Sequence, residues 1–482
     1  MSYVVVVSTQ KHIKPSDARS WLSCSRRVWF DNNPPPGMEQ VEANPFDQLV
    51  MTLGMRHEWS VKRQMEKEHQ VVEAVSPEHT KALMEAGVEI IYQPKLVDEA
   101  LGIVGDPDFL IRTPSGEYQA ADAKLARSGD KDEIHIQLAV YRKMLRSTLP
   151  ALVIHGNGTT SEIGDDANKL ADEFLADMRQ ILAQPSRPPA RYSHSKCSLC
   201  SYVGICKPEF EAKQELTLVY GIDSRNAPHL EAQGITTIRQ LADSDPEVIA
   251  DVPYLKGTDK KLRAVLQAKS YFTHETHRIG DIQLPTGTWV HFDIEANPQN
   301  DSGEDHVYLW GLLKPPYTGQ SFEFVWTDGF EQDQQGWLAF LDVVARLRAE
   351  YPDLILCHFS NYEVTNIKRY AKRYAMEEHP TVAWLLGDDS PLFDIQKPIK
   401  EALVLPVMGY GLKPICKNEG LVNFQWQDDE SGSQWSVVQY VNYLIEPLKD
   451  RREQMKKDIL TYNFDDVMAT RKLEEWLRGL AG

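Results

Sequence analysis

The stretch that decides the fold of the N-terminal half is GDPDFLIRTPSGEYQAADAK, residues 105–124. Apolar runs on both sides of the turn-forming TPSG predict two successive strands. Asp108, in GDPDFLI, is predicted to leave a strand. Asp122 and Lys124 stand two residues apart, on one face of the second predicted strand. Two acidic groups can hold a hard divalent cation, and a nearby lysine can stabilise charge on a phosphate.

The residues on either side of this stretch extend the pattern. Upstream, the segment 54–69 has the composition of a helix and carries His57. Downstream, a helix predicted over about 134–145 places Gln137 and Tyr141 at i and i+4, on one face. Because D-x-K alone is also typical of a solvated strand end, the ordered set of residues carries the functional argument.

Three of the six cysteines lie within ten residues, in CSLCSYVGIC at 197–206. Thiolates this close together in sequence can share a metal centre, although unrelated reduced thiols are the alternative. Four thiolates suit either zinc or an iron–sulfur cluster. The spacing therefore predicts a metal centre, leaves its metal open and requires a fourth ligand.

The ordered set G-x-x-D, D-x-K and Q-x-x-x-Y, with a helical histidine before it and cysteines on both sides, resembles the PD-(D/E)XK nucleases of the RecB type. The four-cysteine arrangement resembles their iron–sulfur members. The resemblance implies Mg²⁺ or Mn²⁺ at the carboxylates and a 4Fe-4S cluster, with zinc as the alternative. By position, the resemblance implies that His57, Asp108 and Asp122 are metal ligands and that Lys124 is the catalytic lysine. It implies that Gln137 and Tyr141 position the substrate. The implied cluster ligands are Cys24, Cys197, Cys200 and Cys206.

A second carboxylate pattern lies in the C-terminal half. FDIEANP places Asp293 and Glu295 on one face of a predicted strand, where a D-x-E pair can hold one or two Mg²⁺ ions. Near the C-terminus, YNFDDVMAT is predicted to begin a helix on which Tyr462 and Asp466 share a face. An ordinary strand end and a helix cap are the alternatives, so the combination carries the prediction.

The order D-x-E, HFSNYE and Y-x-x-x-D resembles the RNase H-like 3′–5′ exonucleases of the DEDD class, in the variant with tyrosine in the last motif. The resemblance implies that Asp293, Glu295 and Asp466 hold metal and that Tyr462 orients the attacking water. The middle motif departs from the class, because Glu363 stands where those enzymes usually carry Asp. The longer side chain could shift the second metal or prevent its binding.

These patterns predict an α/β multidomain protein. The expected parts are a restriction-endonuclease-like PD-(D/E)XK domain at 1–212, a helical module at 213–275 and an RNase H-like domain at 280–482. Breaks at VYGID, AQGITT and LKGTDKK make the middle module resemble a helix-hairpin-helix, with a helical spacer as the alternative. The whole arrangement resembles the RecB-like nuclease family whose members carry a C-terminal RNase H-like domain.

Composition limits the partners. The chain has 482 residues and a net charge of −18, which argues against a surface that attracts nucleic acid or anionic membrane everywhere. No stretch approaches the ~18 apolar residues of a spanning helix, and we predict a cytoplasmic protein. A local basic patch would be needed for nucleic acid, and the candidates near the first pattern are Arg56, Lys62, Arg63, Arg127, Lys131, Arg142 and Lys143.

The sequence therefore predicts a metal-dependent, exonuclease-type enzyme acting on DNA, at single strands or ends, with a second potential 3′–5′ exonuclease site. One alternative is a non-catalytic nucleic-acid-binding or scaffold protein with degenerate sites. Another is an RNA exonuclease active only through the C-terminal domain. Since no Gly-Lys dipeptide of a P-loop occurs, a helicase in trans is the expected source of unwound strands.

Overall fold

The computed structural model describes residues 12–38, 44–125, 131–298, 304–428 and 432–481. They form two compact units. The first contains the described residues up to Ala190, with Glu304, and the second contains the other described residues from Arg191 onward. Within these ranges no helix combines the length and hydropathy needed to cross a bilayer.

The first unit is a six-stranded sheet with helices on both faces. Its helices are α1 (Ala18–Ser23), α2 (Ser25–Asn32), α3 (Pro45–Met65), α4 (Pro77–Glu85), α5 (Asp132–Leu145) and α6 (Asn168–Ala183). Its strands are β1 (Val71–Glu73), β2 (Ile90–Tyr92), β3 (Leu96–Asp98), β4 (Ile103–Gly105), β5 (Phe109–Arg112), β6 (Tyr118–Lys124), β7 (Ala151–His155) and β8 (Thr160–Ile163).

The strand order in this sheet is β1-β2-β5-β6-β7-β8, and β3 and β4 form a separate hairpin. Strand β6 runs antiparallel to β5 and parallel to β7. Leu110 and Ala120 belong to the core cluster shared with α5 and α6, whereas Phe109 and Ala121 pack toward α3. Because side chains alternate along a strand, Asp122 lies on the same face as Ala120, toward α5.

The second unit contains the remaining elements. Its helices are α7 (His194–Cys197), α8 (Val203–Ala212), α9 (Ala227–Glu231), α10 (Ile238–Ala242), α11 (Thr258–Thr273), α12 (Asp333–Glu350), α13 (Tyr362–Arg373), α14 (Pro380–Leu386), α15 (Gln396–Ala402), α16 (Leu412–Cys416), α17 (Ser433–Ile445) and α18 (Lys449–Ala481). Its strands are β9 (His277–Arg278), β10 (Thr288–Asn297), β11 (His306–Leu313), β12 (Phe322–Trp326), β13 (Leu354–His358), β14 (Leu392–Asp394) and β15 (Leu403–Val404).

The main sheet of the second unit has the order β12-β11-β10-β13-β14. Strands β10, β11 and β12 are antiparallel neighbours, and β13 and β14 add to β10 in parallel. Alternation along β10 sends Phe292 and Ile294 into the core with α12 and α13. The opposite face carries His291, Asp293 and Glu295 and contacts α18.

The helical segment before this sheet packs against it within the same unit. Arg263 of α11 donates to the carbonyl of Leu403 at 3.0 Å, and Gln267 donates to that of Leu405 at 2.6 Å. Strand β9 pairs antiparallel with β15. The predicted breaks fall at glycines with left-handed backbone, Gly221 (φ 88°), Gly234 (φ 85°) and Gly257 (φ 82°).

The structure corrects two predictions of local structure. Asp108 does not leave a strand but immediately precedes β5, since Pro107 interrupts the run and the N–H of Asp108 bonds the carboxylate of Asp122 instead of a ladder partner. Tyr462 does not begin a helix either, because α18 already starts at Lys449. The short strands β12 and β14 were not predicted from the sequence.

Candidate active sites

The first centre joins Asp108 and Asp122 across β5 and β6. The N–H of Asp108 donates to Oδ1 of Asp122 at 3.1 Å, and the N–H of Ala123 donates to Oδ2 of Asp108 at 2.8 Å. The Nζ of Lys124 lies 3.0 Å from Oδ2 of Asp122. The two-residue spacing of D-x-K thus sets an ammonium beside a carboxylate on one strand face.

The electrostatics of this centre fit a cation. Burial and the adjacent Asp122 raise the pKa of Asp108 well above its ordinary value. Burial alone would lower the pKa of Lys124, but the carboxylates of Asp122 and Asp108 outweigh it and raise that pKa. Asp122 is 1 % exposed, and its Oδ2 accepts no well-directed hydrogen bond from the described part of the chain. A divalent ion of oxygen-ligand preference would relieve this repulsion.

His57 approaches the sheet from α3. Its Nε2 lies 3.2 Å from the carbonyl oxygen of Ile154, and a ring N–H donating there leaves Nδ1 as the ligand atom. The donor atoms of His57, Asp108 and Asp122 do not all lie within 4.8 Å of one another. Among the described residues, a group of three that meets this distance lies at the second centre.

The structure adds Glu58 to the first centre. After burial and the nearer carboxylate, Glu58 contributes to the raised pKa of Asp108. Burial and a hydrogen bond with Glu58 also raise the pKa of Tyr92. The sequence held a weak signal for this acid, because Glu58 directly follows His57 on the predicted helix.

Gln137 and Tyr141 meet on α5 as their spacing predicts. Nε2 of Gln137 donates to the phenol oxygen of Tyr141 at 3.3 Å. Burial and the charge of Asp122 raise the pKa of Tyr141 well above its ordinary value, so the phenol keeps its proton. The ring also explains the glycine of G-x-x-D, since a Cβ added at Gly105 would lie 2.6 Å from a ring carbon of Tyr141.

The second centre brings together Asp293 and Glu295 of β10 and Asp466 of α18. One carboxylate oxygen of each lies within 4.8 Å of the others. Burial and the charge of Asp466 raise the pKa of Glu295 to about 8. Burial, partly offset by hydrogen bonds, raises the pKa of Asp466 to about 6. Three crowded carboxylates suit an oxygen-liganded divalent cation such as Mg²⁺ or Mn²⁺.

Neighbouring side chains orient these acids. Nδ2 of Asn463 donates to Oδ2 of Asp293 at 2.8 Å, and the indole N–H of Trp426 donates to Oδ1 of Asp466 at 2.7 Å. Gly311 stands opposite Asp293 in the β10–β11 register. A Cβ there would overlap the amide oxygen of Asn463, so the close approach of α18 requires glycine.

Tyr462 and Lys413 complete the second centre. Burial and the carboxylates, Asp466 first among them, raise the pKa of Tyr462, which keeps the phenol protonated. The ammonium of Lys413 lies 5.0 Å from the centre of the Tyr462 ring, and it opposes the raised pKa values of Asp466 and Glu295. Lys413 was not predicted from the sequence, because no spacing relates it to the acids.

Glu363 lies beside this centre, in the first turn of α13. It is 2 % exposed, and Nδ1 of His358 lies 3.4 Å from its Oε2. Burial raises the pKa of Glu363, and the contact with His358 moderates the effect. Glu363 also contributes to the raised pKa of Asp293 but does not belong to the group of three within 4.8 Å.

Comparison with known families agrees with both centres. A family model of the PD-(D/E)XK nuclease superfamily matches residues 26–207, and one of the RNase H superfamily matches residues 290–478. The chain carries a PD-(D/E)XK nuclease domain and a C-terminal RNase H-like domain. The predicted fold class is thereby confirmed, and both domains belong to superfamilies of nucleases. No curated protein matches the chain significantly.

The match to the PD-(D/E)XK domain includes the cysteine triplet and begins two residues after Cys24. Cys24 lies between α1 and α2, and the N–H of Ser193 points to the sulfur of Cys197 at 3.4 Å. N–H donors of this kind stabilise thiolates that bind metal. The predicted ligands, each half-buried, are Cys24, Cys197, Cys200 and Cys206, and their metal stays a prediction.

The predicted basic patch of the PD-(D/E)XK domain is wrong for two residues. Arg142 is buried and bonds the carboxylate of Asp165 at 2.9 Å, while Lys143 pairs with Asp172 at 2.9 Å. Both therefore serve the fold rather than a phosphate. Of the remaining candidates, Lys62 is half-buried, Arg127 lies outside the described residues, and the exposed ones are Arg56, Arg63 and Lys131.

Proposed function

We propose that this protein is a metal-dependent nuclease that hydrolyses phosphodiester bonds of DNA through its PD-(D/E)XK domain, at single strands or ends. The proposal is carried by the half-buried Asp108 and the buried Asp122, with Nζ of Lys124 3.0 Å from the second carboxylate. The helical His57 and the Gln137 side chain on α5 support the RecB-type branch of the superfamily.

A divalent cation at Asp108 and Asp122 would polarise the phosphate and supply a hydroxide-like nucleophile at neutral pH. Lys124, held beside Asp122, stabilises the charge that builds on the phosphate oxygens. Tyr141 keeps its proton and, together with Gln137, can donate to the substrate and fix its position. Strand β6 thus supplies the residue that stabilises charge, and helix α5 supplies the residues that orient the substrate.

The test is cleavage of a labelled single-stranded oligonucleotide with Mg²⁺ or Mn²⁺. Asp122→Asn should lower the rate of the N-terminal activity by at least about 100-fold, because a metal ligand loses its charge. Asp166→Asn, at an exposed aspartate of the same unit, is the matched control and should cut as the parent does. Equal rates for parent and Asp122→Asn, with circular dichroism unchanged, would contradict the proposal.

We infer further that the RNase H-like domain is a 3′–5′ exonuclease. The three carboxylates within 4.8 Å of one another support this activity, and Tyr462 beside Asp466 is suited to orient the attacking water. Glu363 lies close enough to act on the same charges. An RNA exonuclease confined to this domain is the second candidate.

Substrates labelled at either end, as DNA and RNA side by side, distinguish these possibilities. Asp293→Asn should abolish stepwise shortening from the 3′ end, whereas Asp342→Asn, at an exposed aspartate of α12, should not. Loss confined to RNA would favour the RNA exonuclease. If neither Asp122→Asn nor Asp293→Asn alters any cleavage, the protein is a non-catalytic nucleic-acid-binding protein or scaffold.

We also propose that Cys24, Cys197, Cys200 and Cys206 bind a 4Fe-4S cluster, with zinc as the alternative. The proposal rests on the C-x2-C-x5-C spacing, on the half-buried sulfurs and on the N–H of Ser193 at Cys197. A helicase acting in trans would supply the unwound strands that such a nuclease requires.

A further inference from the structure

Helix α3 has two chemically different faces. Its inner face packs on the sheet through Val61 and Met65 and carries His57 and Glu58 to the first centre. The opposite side of the helix, the outer face, is made of exposed residues. They are Gln48, Met51, Thr52, Met55, Arg56, Trp59, Ser60, Arg63 and Gln64.

An apolar stripe runs along this outer face. Met51, Met55 and Trp59 recur every four residues and are 61 %, 60 % and 53 % exposed. Single exposed apolar side chains are ordinary, but a row of three large ones on one helix face marks an interaction surface. The stripe therefore requires an occupant of matching chemistry.

The charge on the outer face indicates that occupant. The face carries two cations, Arg56 and Arg63, and no acid, although the whole chain has a net charge of −18. The guanidinium of Arg63 lies 4.0 Å from the centre of the Trp59 ring. An exposed indole with arginines around it suits single-stranded nucleic acid, whose bases stack on aromatic rings while its phosphates meet cations.

The position of the face is consistent with this chemistry. Trp59 directly follows Glu58, and a helix rises 1.5 Å per residue. The two faces are separated by the width of the helix, about 10–12 Å with its side chains, so a strand held on the outer face passes within a few nucleotides of the residues that serve the first centre. Phosphates at Arg56 and Arg63 would belong to the same strand as the bond being cut.

We propose that the outer face of α3 is a single-strand binding platform, on which a base stacks against Trp59 while Arg56 and Arg63 contact neighbouring phosphates. This inference rests on the proposed nuclease function of the first centre. It names the substrate class, single-stranded nucleic acid, and a positioning surface that the carboxylate motifs do not include.

The experiment uses the full chain carrying Asp122→Asn, without added metal, so that binding is separated from cleavage. Photo-crosslinking to an oligonucleotide containing 5-iodouridine should label the peptide around Trp59. In fluorescence anisotropy, Trp59→Ala should raise the Kd about tenfold, as expected for one lost stacked base, while Trp59→Phe retains most of the affinity. Arg63→Ala should reduce the salt dependence of log K by about one phosphate contact.

Val75→Ala is the matched control, since Val75 is 78 % exposed in the same unit and lies off α3. It should bind as the parent does. An unchanged Kd for Trp59→Ala, or no crosslink on α3, overturns the platform. If Trp59→Ala instead dissociates an oligomer and leaves oligonucleotide affinity unchanged, the face contacts another copy and the platform is again overturned. The nuclease function is tested separately with bis(p-nitrophenyl) phosphate, a diester too small to reach the outer face, which the parent should hydrolyse.

Discussion

At the level of single residues, both centres orient their acids with N–H donors, while one lysine at each centre, Lys124 and Lys413, offsets only part of the negative charge. Backbone N–H groups hold Asp108 against Asp122, while the amide of Asn463 and the indole of Trp426 hold Asp293 and Asp466. Hydrogen bonds of this kind fix direction but add no positive charge. Burial and, at Asp108 and Asp293, the neighbouring carboxylates raise the pKa values despite these hydrogen bonds, and a bound cation would relieve this repulsion.

The raised pKa of Glu295 predicts a pH-dependent stability. Because the pKa rises from an ordinary 4.5 to about 8 in the folded chain, the protonated acid contributes stability that is complete below 4.5 and lost as the pH rises through about 8. In the presence of a chelator, the Tm of the RNase H-like domain should therefore fall toward alkaline pH.

Glu295→Gln should flatten this part of the pH profile, and Mg²⁺ should restore stability to the parent more than to the variant. The measurement is the Tm of the C-terminal transition between about pH 5 and about pH 9, with and without metal. Parallel profiles for parent and variant would show that Glu295 does not titrate in this range.

Gly311 should tolerate no side chain. A Cβ would displace Asn463 and release Asp293, so Gly311→Ala should destabilise the domain by about 1–3 kcal/mol and weaken Mg²⁺-dependent activity. Gly319→Ala in the same domain meets nothing within 4 Å and is the matched control. Denaturant unfolding and 3′-end cleavage check both variants. If the two variants are equally stable and active, α18 moves to accept the Cβ without a loss of stability.

Sequence spacing predicted most of the carboxylates that the structure brings together, but neither Glu58 nor the side chains that orient the acids. Asp122 and Lys124, like Asp293 and Glu295, are two residues apart, so the period of a strand is enough to place them on one face. Lys413 contacts the second centre from a distant helix, and no local period encodes such a contact. Long-range packing determines which such residues lie at the site, so they can be found only from the folded structure.

At the scale of elements, predictions succeeded where a segment has a clear period and failed where tertiary contacts override it. The helix α5 and the strands β6 and β10 follow from their patterns. Helix α18 extends through YNFDDVMAT because Asn463 is fully buried and bonds Asp293 rather than capping a helix start. The polar first third of α18 offers little apolar periodicity, which explains the missed start.

Helix α18 contacts β10 through the buried carboxylate of Glu474. Glu474 lies 3.0 Å from the ring of His291 and 2.9 Å from Arg471, and it also bonds Arg478. Glu474→Gln should destabilise the RNase H-like domain by about 2–4 kcal/mol, because the half-buried Arg471 loses its buried counter-charge and the contact with His291 is weakened.

Glu475→Gln is the matched control on the same helix. Glu475 is 44 % exposed and pairs with Arg471 and Lys472, so its loss should cost less than about 1 kcal/mol. Denaturant titration of both variants, with the unfolding transition of the PD-(D/E)XK domain as the internal reference, gives the comparison. If Glu475→Gln proves as damaging as Glu474→Gln, the contact of α18 with β10 does not depend on the buried carboxylate.

At the scale of the whole molecule, two nuclease domains share a chain whose net charge of −18 repels nucleic acid at long range. Binding must therefore rely on short-range contacts, such as the stacking surface and cations of α3, which screening by salt affects less than a diffuse field. The composition predicted this requirement, but only the folded helix shows where an acid-free face occurs.

We predict that the four cysteines bind an iron–sulfur cluster rather than zinc. Thiolates at C-x2-C-x5-C spacing fit zinc as well as iron–sulfur, so the identity follows from the resemblance and needs a direct measurement. The anaerobically purified protein should be brown, with about four irons and four sulfides per chain. Cys200→Ser should lose the colour and destabilise the PD-(D/E)XK domain, since bound metal contributes folding free energy.

Cys416→Ser is the control, because Cys416 is buried next to the carbonyl of Ala469, to which a serine hydroxyl can also donate. It should keep the full iron content. Colourless protein with one zinc per chain would replace the iron–sulfur assignment and retain the thiolate centre. Metal-free protein that stays folded and active would remove the centre, and the stability of the PD-(D/E)XK domain would then rest on its sheet and helices alone.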